Sequence, residues 1–206
     1  LYSEKKPPPG VVFPAEREGW ARTTLRAVEE ATGHEALRAY LPWLSREEYL
    51  RLEGEKKADP YAHPVTALRR ILLQTEVYHR LATEWIEKEK PDLAIVYFEG
   101  TDSIGHTFAP FAPPRQPTIS EEDYARYSGA PGLYFRHVDT LLGAYRALAE
   151  ARGAVLVLAS DHGFFWSEGR PKELSSFAHA TAGKWHRKDG VYLAWGPGIA
   201  PAPGHP

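Results

Sequence analysis

Two short, almost wholly apolar runs that follow long amphipathic segments constrain the fold of this chain most strongly. Residues 93–98 and 155–159 are aliphatic or aromatic throughout, with several β-branched side chains, as is typical of strands covered on both faces. The segments before them, 64–90 and 133–152, place apolar residues at three-and-four spacing, which predicts helices. This order predicts an α/β fold whose mainly parallel sheet is sandwiched by helices, with right-handed crossovers.

Shorter segments add three elements to this prediction. Helical spacing over 20–32 is followed by a glycine, which predicts a first helix. Ser45 and Glu48 have capping-box spacing, so a short helix should begin at Ser45. Val191–Trp195 precedes Gly-Pro-Gly and is predicted as a third strand, and we expect a long proline-rich loop over 99–132.

The composition narrows the classes of function. The 206 residues suffice for one domain with a full core. Because 25 basic residues nearly balance 27 acidic residues, giving a net charge of -2, no whole-chain field favours nucleic acid or an anionic membrane as partner. The chain has no Cys, which excludes disulfides and thiolate ligands and leaves His, Asp and Glu as metal ligands. No apolar run reaches the length of a membrane-spanning helix.

Asp and His side chains follow both apolar runs. Asp102 and His106 come shortly after the first run and are four residues apart, so one helical turn or a tight loop would direct both toward one ion. Asp161 and His162 follow the second run, and the glycine after them permits a bend that brings them together. Carboxylate and imidazole suit a divalent transition metal. The simpler alternatives are a helix cap at Asp102, a structural loop histidine at His106 and an ordinary turn after the second run.

A third candidate ligand, His186, lies shortly before the predicted third strand. Its neighbours Lys184, Arg187 and Lys188 are basic, so they are candidates to meet a phosphate, and the alternative is a solvated surface loop. The rival to His186 is His179. We prefer His186 because Asp-Gly and a strand follow it.

The motifs Asp-x-x-x-His, Ser-Asp-His-Gly and Gly-x-x-His-x-x-Asp-Gly, followed by Gly-Pro-Gly, stand in this order in the sequence. The order resembles the alkaline phosphatase superfamily, most closely its type I phosphodiesterase and nucleotide pyrophosphatase branch, over residues 91–200. The resemblance implies a metal-dependent phosphoric ester hydrolase that acts on a small-molecule phosphoester or a nucleotide. It also implies two divalent ions, for which the His and Asp donors favour zinc.

The resemblance further implies how the candidate ligands are divided between the two ions. Asp102, His106 and His186 would hold the first ion, and Asp161 and His162 would hold the second. The first set makes chemical sense by itself, because two neutral imidazoles and a carboxylate leave an open position for water or a phosphate oxygen.

Members of this family also carry an upstream Asp at the end of their first strand and a nucleophilic Thr or Ser at the start of the next helix. Neither context is found, since Thr23 and Thr24 lie inside a predicted helix and Ser45 is better explained as a cap. We therefore expect the whole chain to be a single partial catalytic domain that lacks the nucleophile and the first metal-binding Asp. Residues 1–63 would be an insert-like segment and 64–206 the metal-site portion. One metal site would then be complete and the other partial, leaving the chain weakly active or inactive.

Other interpretations stay open. A phosphomutase or a sulfatase of the same superfamily is one alternative, although the sulfatase nucleophile usually derives from Cys, and a non-catalytic metal-binding module is another. Phe164, Phe165 and Trp166 either stack on a base or belong to the core, and His137 is expected to be structural because it lies in a predicted helix. Relatives are often exported, but residues 1–6 lack the apolar core of a signal peptide, and the sequence assigns no compartment and no oligomeric state.

Overall fold

The structure is a computed structural model, and it describes residues 12–55, 61–175 and 180–200. Within these residues helices dominate and strands are short. The α-helices are α1 (Glu18–Ala31), α2 (His34–Arg38), α3 (Arg46–Gly54), α4 (Pro64–Glu89), α5 (Gly100–Phe108), α6 (Glu121–Tyr127) and α7 (Ala130–Arg152). The strands are β1 (Leu156–Ser160), β2 (Gly163–Phe164), β3 (His186–Arg187) and β4 (Val191–Trp195).

The longest helix, α4, has the bounds that its apolar spacing predicts. It begins after His63, whose Nδ1 accepts a hydrogen bond from the Val65 N–H at 3.2 Å, and Pro64 occupies the first turn, where no donor is lost. It ends at Glu89, and the next residue, Lys90, has the left-handed φ of 48° that often terminates helices. The predictions of α1, α3 and α7 are confirmed as well, and the Ser45 hydroxyl accepts from the Glu48 N–H as a cap.

The core is formed between helices. Side chains from α2 to α7 and from the turns beside them pack together, and they include Leu37, Leu41, Leu52, Leu68, Ile71, Ile104, Phe108 and Tyr134. Two of these residues, Ile104 and Phe108, lie on α5 and are fully buried. The core therefore holds in place the short helix that carries the first candidate ligands.

The prediction of a long loop over 99–132 is wrong. This stretch contains α5, a 3-10 turn at Ala109–Phe111, α6 and the beginning of α7. Ile104 and Phe108 lie one turn apart and bury one face of α5, whereas the Ser120 hydroxyl accepts from the Asp123 N–H and caps α6. The prolines lie mainly between these helices, where their missing N–H groups cost nothing.

The predicted parallel sheet is not found among the described residues. β1 pairs antiparallel with β4, with Leu158 opposite Leu193, and β2 pairs antiparallel with β3. A parallel neighbour would need a crossover, usually a helix, but the described residues between β1 and β4 contain only short strands and a 3-10 turn. The α/β class is thus confirmed only as a helix-rich mixed fold with two small antiparallel sheets.

The predicted burial of the two apolar runs is also wrong. Residues 93–98 form no strand in the structure, and Leu93, Ile95 and Tyr97 are 75%, 84% and 72% exposed. Val157 of β1 is 61% exposed. Burial on both faces needs neighbouring strands and two covering layers. Among the described residues, 93–98 pair with no strand, and β1 has β4 as its one neighbour but remains exposed.

None of the helices in residues 12–55, 61–175 and 180–200 combines the length and the apolar character that crossing a membrane requires.

Candidate metal centre

α5 presents the first two candidate ligands on one face. Asp102 and His106 are one turn apart, and the Asp102 Oδ1 lies 3.3 Å from the His106 Nε2. The opposite face of the helix is anchored through Ile104 and Phe108, which are fully buried. Asp102 therefore does more than occupy the first turn of a helix, because its carboxylate lies beside an imidazole fixed to the same rigid element.

β3 brings the third candidate ligand to the same point. His186 is paired in register with Phe164 of β2, and its Nε2 lies 3.1 Å from the Asp102 Oδ1 and 2.9 Å from the His106 Nε2. One ligand atom from each of the three residues lies within 4.8 Å of the other two. The three residues that the family resemblance assigns to one ion are thus close together in the structure, and we refer to them as the trio.

The environment of the trio fits a cation. The Asp102 Oδ1 is buried and has no hydrogen-bond partner, although imidazole nitrogens lie 3.1 and 3.3 Å away. The Nε2 atoms of His106 and His186 face each other, so a single proton between them leaves the carboxylate oxygen unsatisfied. A divalent ion accepts lone pairs from all three atoms and resolves both problems.

The pKa values of Asp102 and His186 shift toward the forms that bind metals. Burial raises the pKa of Asp102, but the neighbouring imidazoles, His106 foremost, outweigh this effect and hold its pKa below the ordinary value. Burial lowers the pKa of His186, and the nearby His162 lowers it further. An ionised carboxylate and a neutral imidazole are the forms that bind metals.

His162 lies against the trio, but Asp161 does not. The ring of His162 stacks on that of His186 with centroids 3.8 Å apart and planes inclined by 15°, and its Nε2 lies 3.7 Å from the Asp102 Oδ1. The Asp161 side chain is 92% exposed, with its Oδ1 3.9 Å from the His162 Nε2. Of the pair expected at a second ion, one member adjoins the trio and the other faces solvent.

His162 and His106 are oriented by different partners. The Nδ1 of His162 lies 3.0 Å from the Gly163 carbonyl, and the Ser160 hydroxyl donates to the His162 carbonyl at 2.5 Å. The Nδ1 of His106 lies 2.6 Å from the hydroxyl of Ser175. The sequence contained no signal for Ser175, since it lies 69 residues from its partner in no recognisable motif.

Aromatic rings form one wall of the site. The Phe164 ring meets the His106 ring edge-on, with centroids 5.1 Å apart, and it also lies 6.1 Å from the ring of the fully buried Trp185. A Cβ on Gly105 would lie 2.7 Å from the Phe164 ring, so only glycine admits this approach without displacement. Phe164 thus packs between His106 and Trp185, and stacking of this aromatic run on a base stays a prediction.

Lys184, Arg187 and His137 contact partners other than the trio. Lys184 pairs with Glu173 at 3.6 Å, and the Arg187 guanidinium lies 5.8 Å above the Phe165 ring. His137 lies 2.9 Å from Glu76 of α4. His179, the rival third ligand, lies outside the described residues.

A comparison with models of protein families assigns this chain to a family. The model for type I phosphodiesterase / nucleotide pyrophosphatase matches residues 18–197. The chain belongs to this family. The match extends over α1 to α4 as well as the motif-bearing half, and it indicates a phosphoester hydrolase with a phosphodiesterase or nucleotide pyrophosphatase type of function. Comparisons with curated proteins and with solved structures return no match.

Proposed function

We propose that this chain carries the metal-binding part of a metal-dependent phosphoric ester hydrolase whose substrate is a small-molecule phosphodiester or a nucleotide. The observation that supports it best is the trio, whose ligand atoms lie within 4.8 Å of one another in a member of a phosphoester hydrolase family. Asp102, His106 and His186 would hold one ion, for which zinc suits the donors best.

A second ion would use Asp161 and His162. The stacking of His162 on His186 supports a position beside the first ion. Exposure of the Asp161 carboxylate leaves it free to turn toward a ligand. Two residues do not complete a catalytic site, so further ligands would have to come from outside the described residues.

We further propose that the nucleophile lies outside these 206 residues. The Thr23 hydroxyl donates to the Gly19 carbonyl within α1, Thr24 is buried in the same helix, and the Ser45 hydroxyl caps α3. Each of these three hydroxyls thus has a structural explanation. The chain would be a partial catalytic domain, with 1–63 as an insert-like segment and 64–206 as the metal-site portion.

The residues of the trio would prepare the site for phosphate. A divalent ion, when bound, supplies a Lewis acid that polarises the phosphoryl oxygens and stabilises developing negative charge. The single negative charge of Asp102 leaves the site with net positive charge, because the two imidazoles are neutral ligands. The Phe164 ring packs edge-on against His106, and an apolar neighbour of this kind would strengthen the attraction of a bound cation for an anionic substrate.

Hydrolysis assays test this proposal in a polypeptide that includes the upstream residues we invoke. Zinc-dependent cleavage of a chromogenic phosphodiester that exceeds cleavage of the matching monoester is expected. His186→Ala and Asp161→Ala should abolish it, whereas Asp139→Ala, which removes an exposed carboxylate on α7, should not. Full activity in the His186→Ala variant would overturn the site assignment.

Other outcomes of the assay identify the alternatives. Cleavage of sulfate esters or transfer of phosphate within a sugar phosphate would indicate a sulfatase or a phosphomutase. Zinc binding without hydrolysis of any of these esters would indicate a non-catalytic module. In the 206-residue chain alone, we expect one firmly bound zinc ion and little hydrolysis, and two equally tight ions would contradict a partial second site.

A further inference from the structure

We propose that Ser175 is a positioning residue that orients His106 as a metal ligand. The inference rests on the proposed function, since it concerns how the chain prepares one member of the trio. It assigns a role to a residue that lies outside the motifs recognised in the sequence.

The contact between the two side chains is short and specific. The Ser175 Oγ lies 2.6 Å from the His106 Nδ1, while the other ring nitrogen, Nε2, lies 3.3 Å from the Asp102 Oδ1 and 2.9 Å from the His186 Nε2. The ring thus faces the trio with one nitrogen and the serine with the other.

This arrangement determines the tautomer that ligation requires. A neutral imidazole has one N–H and one lone pair, so an Nε2 that gives its lone pair to an ion leaves the proton on Nδ1. The Ser175 oxygen accepts that proton in a hydrogen bond. Such a partner fixes the ring orientation and raises the basicity of the ligating nitrogen.

The segment that carries Ser175 is held near the site by its own contacts. The Thr181 hydroxyl donates to the carbonyl of Leu174 at 2.7 Å, and Lys184 pairs with Glu173 at 3.6 Å. Both contacts join the residues just before Ser175 to the residues just before His186. The serine is therefore carried on a segment that is tied to another ligand of the same trio.

The Nδ1 partner of His162 differs in kind from that of His106. The Nδ1 of His162 lies 3.0 Å from the backbone carbonyl of the next residue, a partner that substitution does not remove. The partner of His106 is a side chain on a distant segment, so its contribution is accessible to mutation. Ser175→Ala removes the hydroxyl, whereas Ser175→Thr keeps it at the same position.

The test is a competitive zinc titration of the 206-residue chain with a chelator of known affinity, on the wild type, Ser175→Ala and Ser175→Thr. We expect Ser175→Ala to bind zinc about 10–100-fold more weakly, as is typical when the outer partner of a metal-binding histidine is lost. Ser175→Thr should stay within about threefold of the wild type because the acceptor remains. Ser128→Ala, a substitution at the end of α6, controls for the general loss of a hydroxyl.

A spectroscopic signature separates positioning from a general structural role. In the zinc-bound wild type, the His106 Nδ1–H should give a resolved NMR resonance that is protected from exchange with water. This resonance should disappear in Ser175→Ala and return in Ser175→Thr. Unchanged zinc affinity together with an unchanged resonance in Ser175→Ala would overturn this inference alone, whereas a wild type that binds no zinc would overturn the proposed function with it.

Discussion

The Nε2 atoms of His106 and His186 lie 2.9 Å apart and converge on the buried Oδ1 of Asp102. One of these histidines comes from a helix embedded in the core and the other from a two-residue strand 80 positions later. Two imidazole nitrogens that face each other beside a buried carboxylate oxygen without a hydrogen-bond partner form a costly arrangement unless a cation occupies the space between them. The fold therefore brings together, from two distant segments, side chains that are suited to bind a metal ion.

Gly105 should be required for the packing beside the trio. Gly105→Ala would place a Cβ 2.7 Å from the Phe164 ring, so the ring that adjoins His106 must move. We expect a loss of about 1–3 kcal/mol in the free energy of unfolding and weaker zinc binding, measured by urea denaturation and zinc titration. Gly143→Ala is the matched control, because its Cβ would meet nothing within 4 Å in α7, and it should gain up to about 1 kcal/mol. Equal stability of the two variants would contradict the packing argument.

Arg170 should be a structural arginine. Its guanidinium donates to the carbonyls of Ala109, Ala112, Pro114 and Ser167, and it is nearly buried, so it joins the end of α5 to the segment that leads to Ser175. Arg170→Met should reduce the free energy of unfolding by about 2–3 kcal/mol, because several carbonyls lose a charged donor. The measurement is chemical denaturation.

An exposed arginine provides the control for Arg170. Arg22 pairs with Glu18 on the surface of α1, and Arg22→Met should change the free energy of unfolding by no more than about 0.5 kcal/mol. If Arg170→Met reduced the free energy of unfolding no more than Arg22→Met does, the hydrogen bonds from Arg170 to these carbonyls would not stabilise the fold.

Glu76 should make stability depend on pH. The neighbouring His137, opposed by burial, holds the pKa of Glu76 below its ordinary value, so the unfolded chain takes up the proton first as the pH falls. The stabilisation is fully present at pH values above the ordinary pKa of a Glu side chain. It is lost as the pH falls through the folded-state pKa of Glu76. We expect the free energy of unfolding of the wild type to exceed that of Glu76→Gln by about 1 kcal/mol at pH 7. The difference should decrease over the range from pH 7 down through the folded-state pKa of Glu76. Denaturation of both proteins across this range gives the answer, and a difference that does not change with pH would contradict it.

The exposure of residues 93–98 has a direct consequence for stability. Ile71 is fully buried, whereas Ile95 is 84% exposed. Ile71→Ala should cost about 2–5 kcal/mol, but Ile95→Ala should stay within about 0.5 kcal/mol. If the two substitutions cost the same, residues 93–98 would lie in a covered layer, as their composition first indicated.

The helices α1, α3, α4 and α7 could be predicted from the sequence because local signals determine them, whereas α5 and α6 were predicted as loop. The spacing of residues such as Leu68 and Ile71, with Pro64 at the start, is sufficient to delimit α4. The strands were less predictable, because an apolar run does not specify whether neighbours cover it. The absence of helical spacing between β1 and β4 was a usable signal that argued against a parallel pair.

The candidate metal site, like the fold, could be predicted only in part from the sequence. The trio could be predicted because its members lie in motifs whose order resembles a known family, and the structure brings them together. The contacts of Ser175 and Phe164 with His106 depend on how separate segments meet in space. A serine or a phenylalanine is common in any loop or strand, and the spacing of Ser175 and Phe164 in the sequence carried no information about their contacts with His106.

An equilibrium zinc titration of the 206-residue chain and its His186→Ala variant shows directly whether the trio binds a metal. We expect one firmly bound zinc ion in the wild type and in the Asp139→Ala control. His186→Ala, which removes one of the three ligands, should weaken binding by more than about a hundredfold. A wild type without bound zinc, or a His186→Ala variant with wild-type affinity, would contradict the claim that the trio is a metal site.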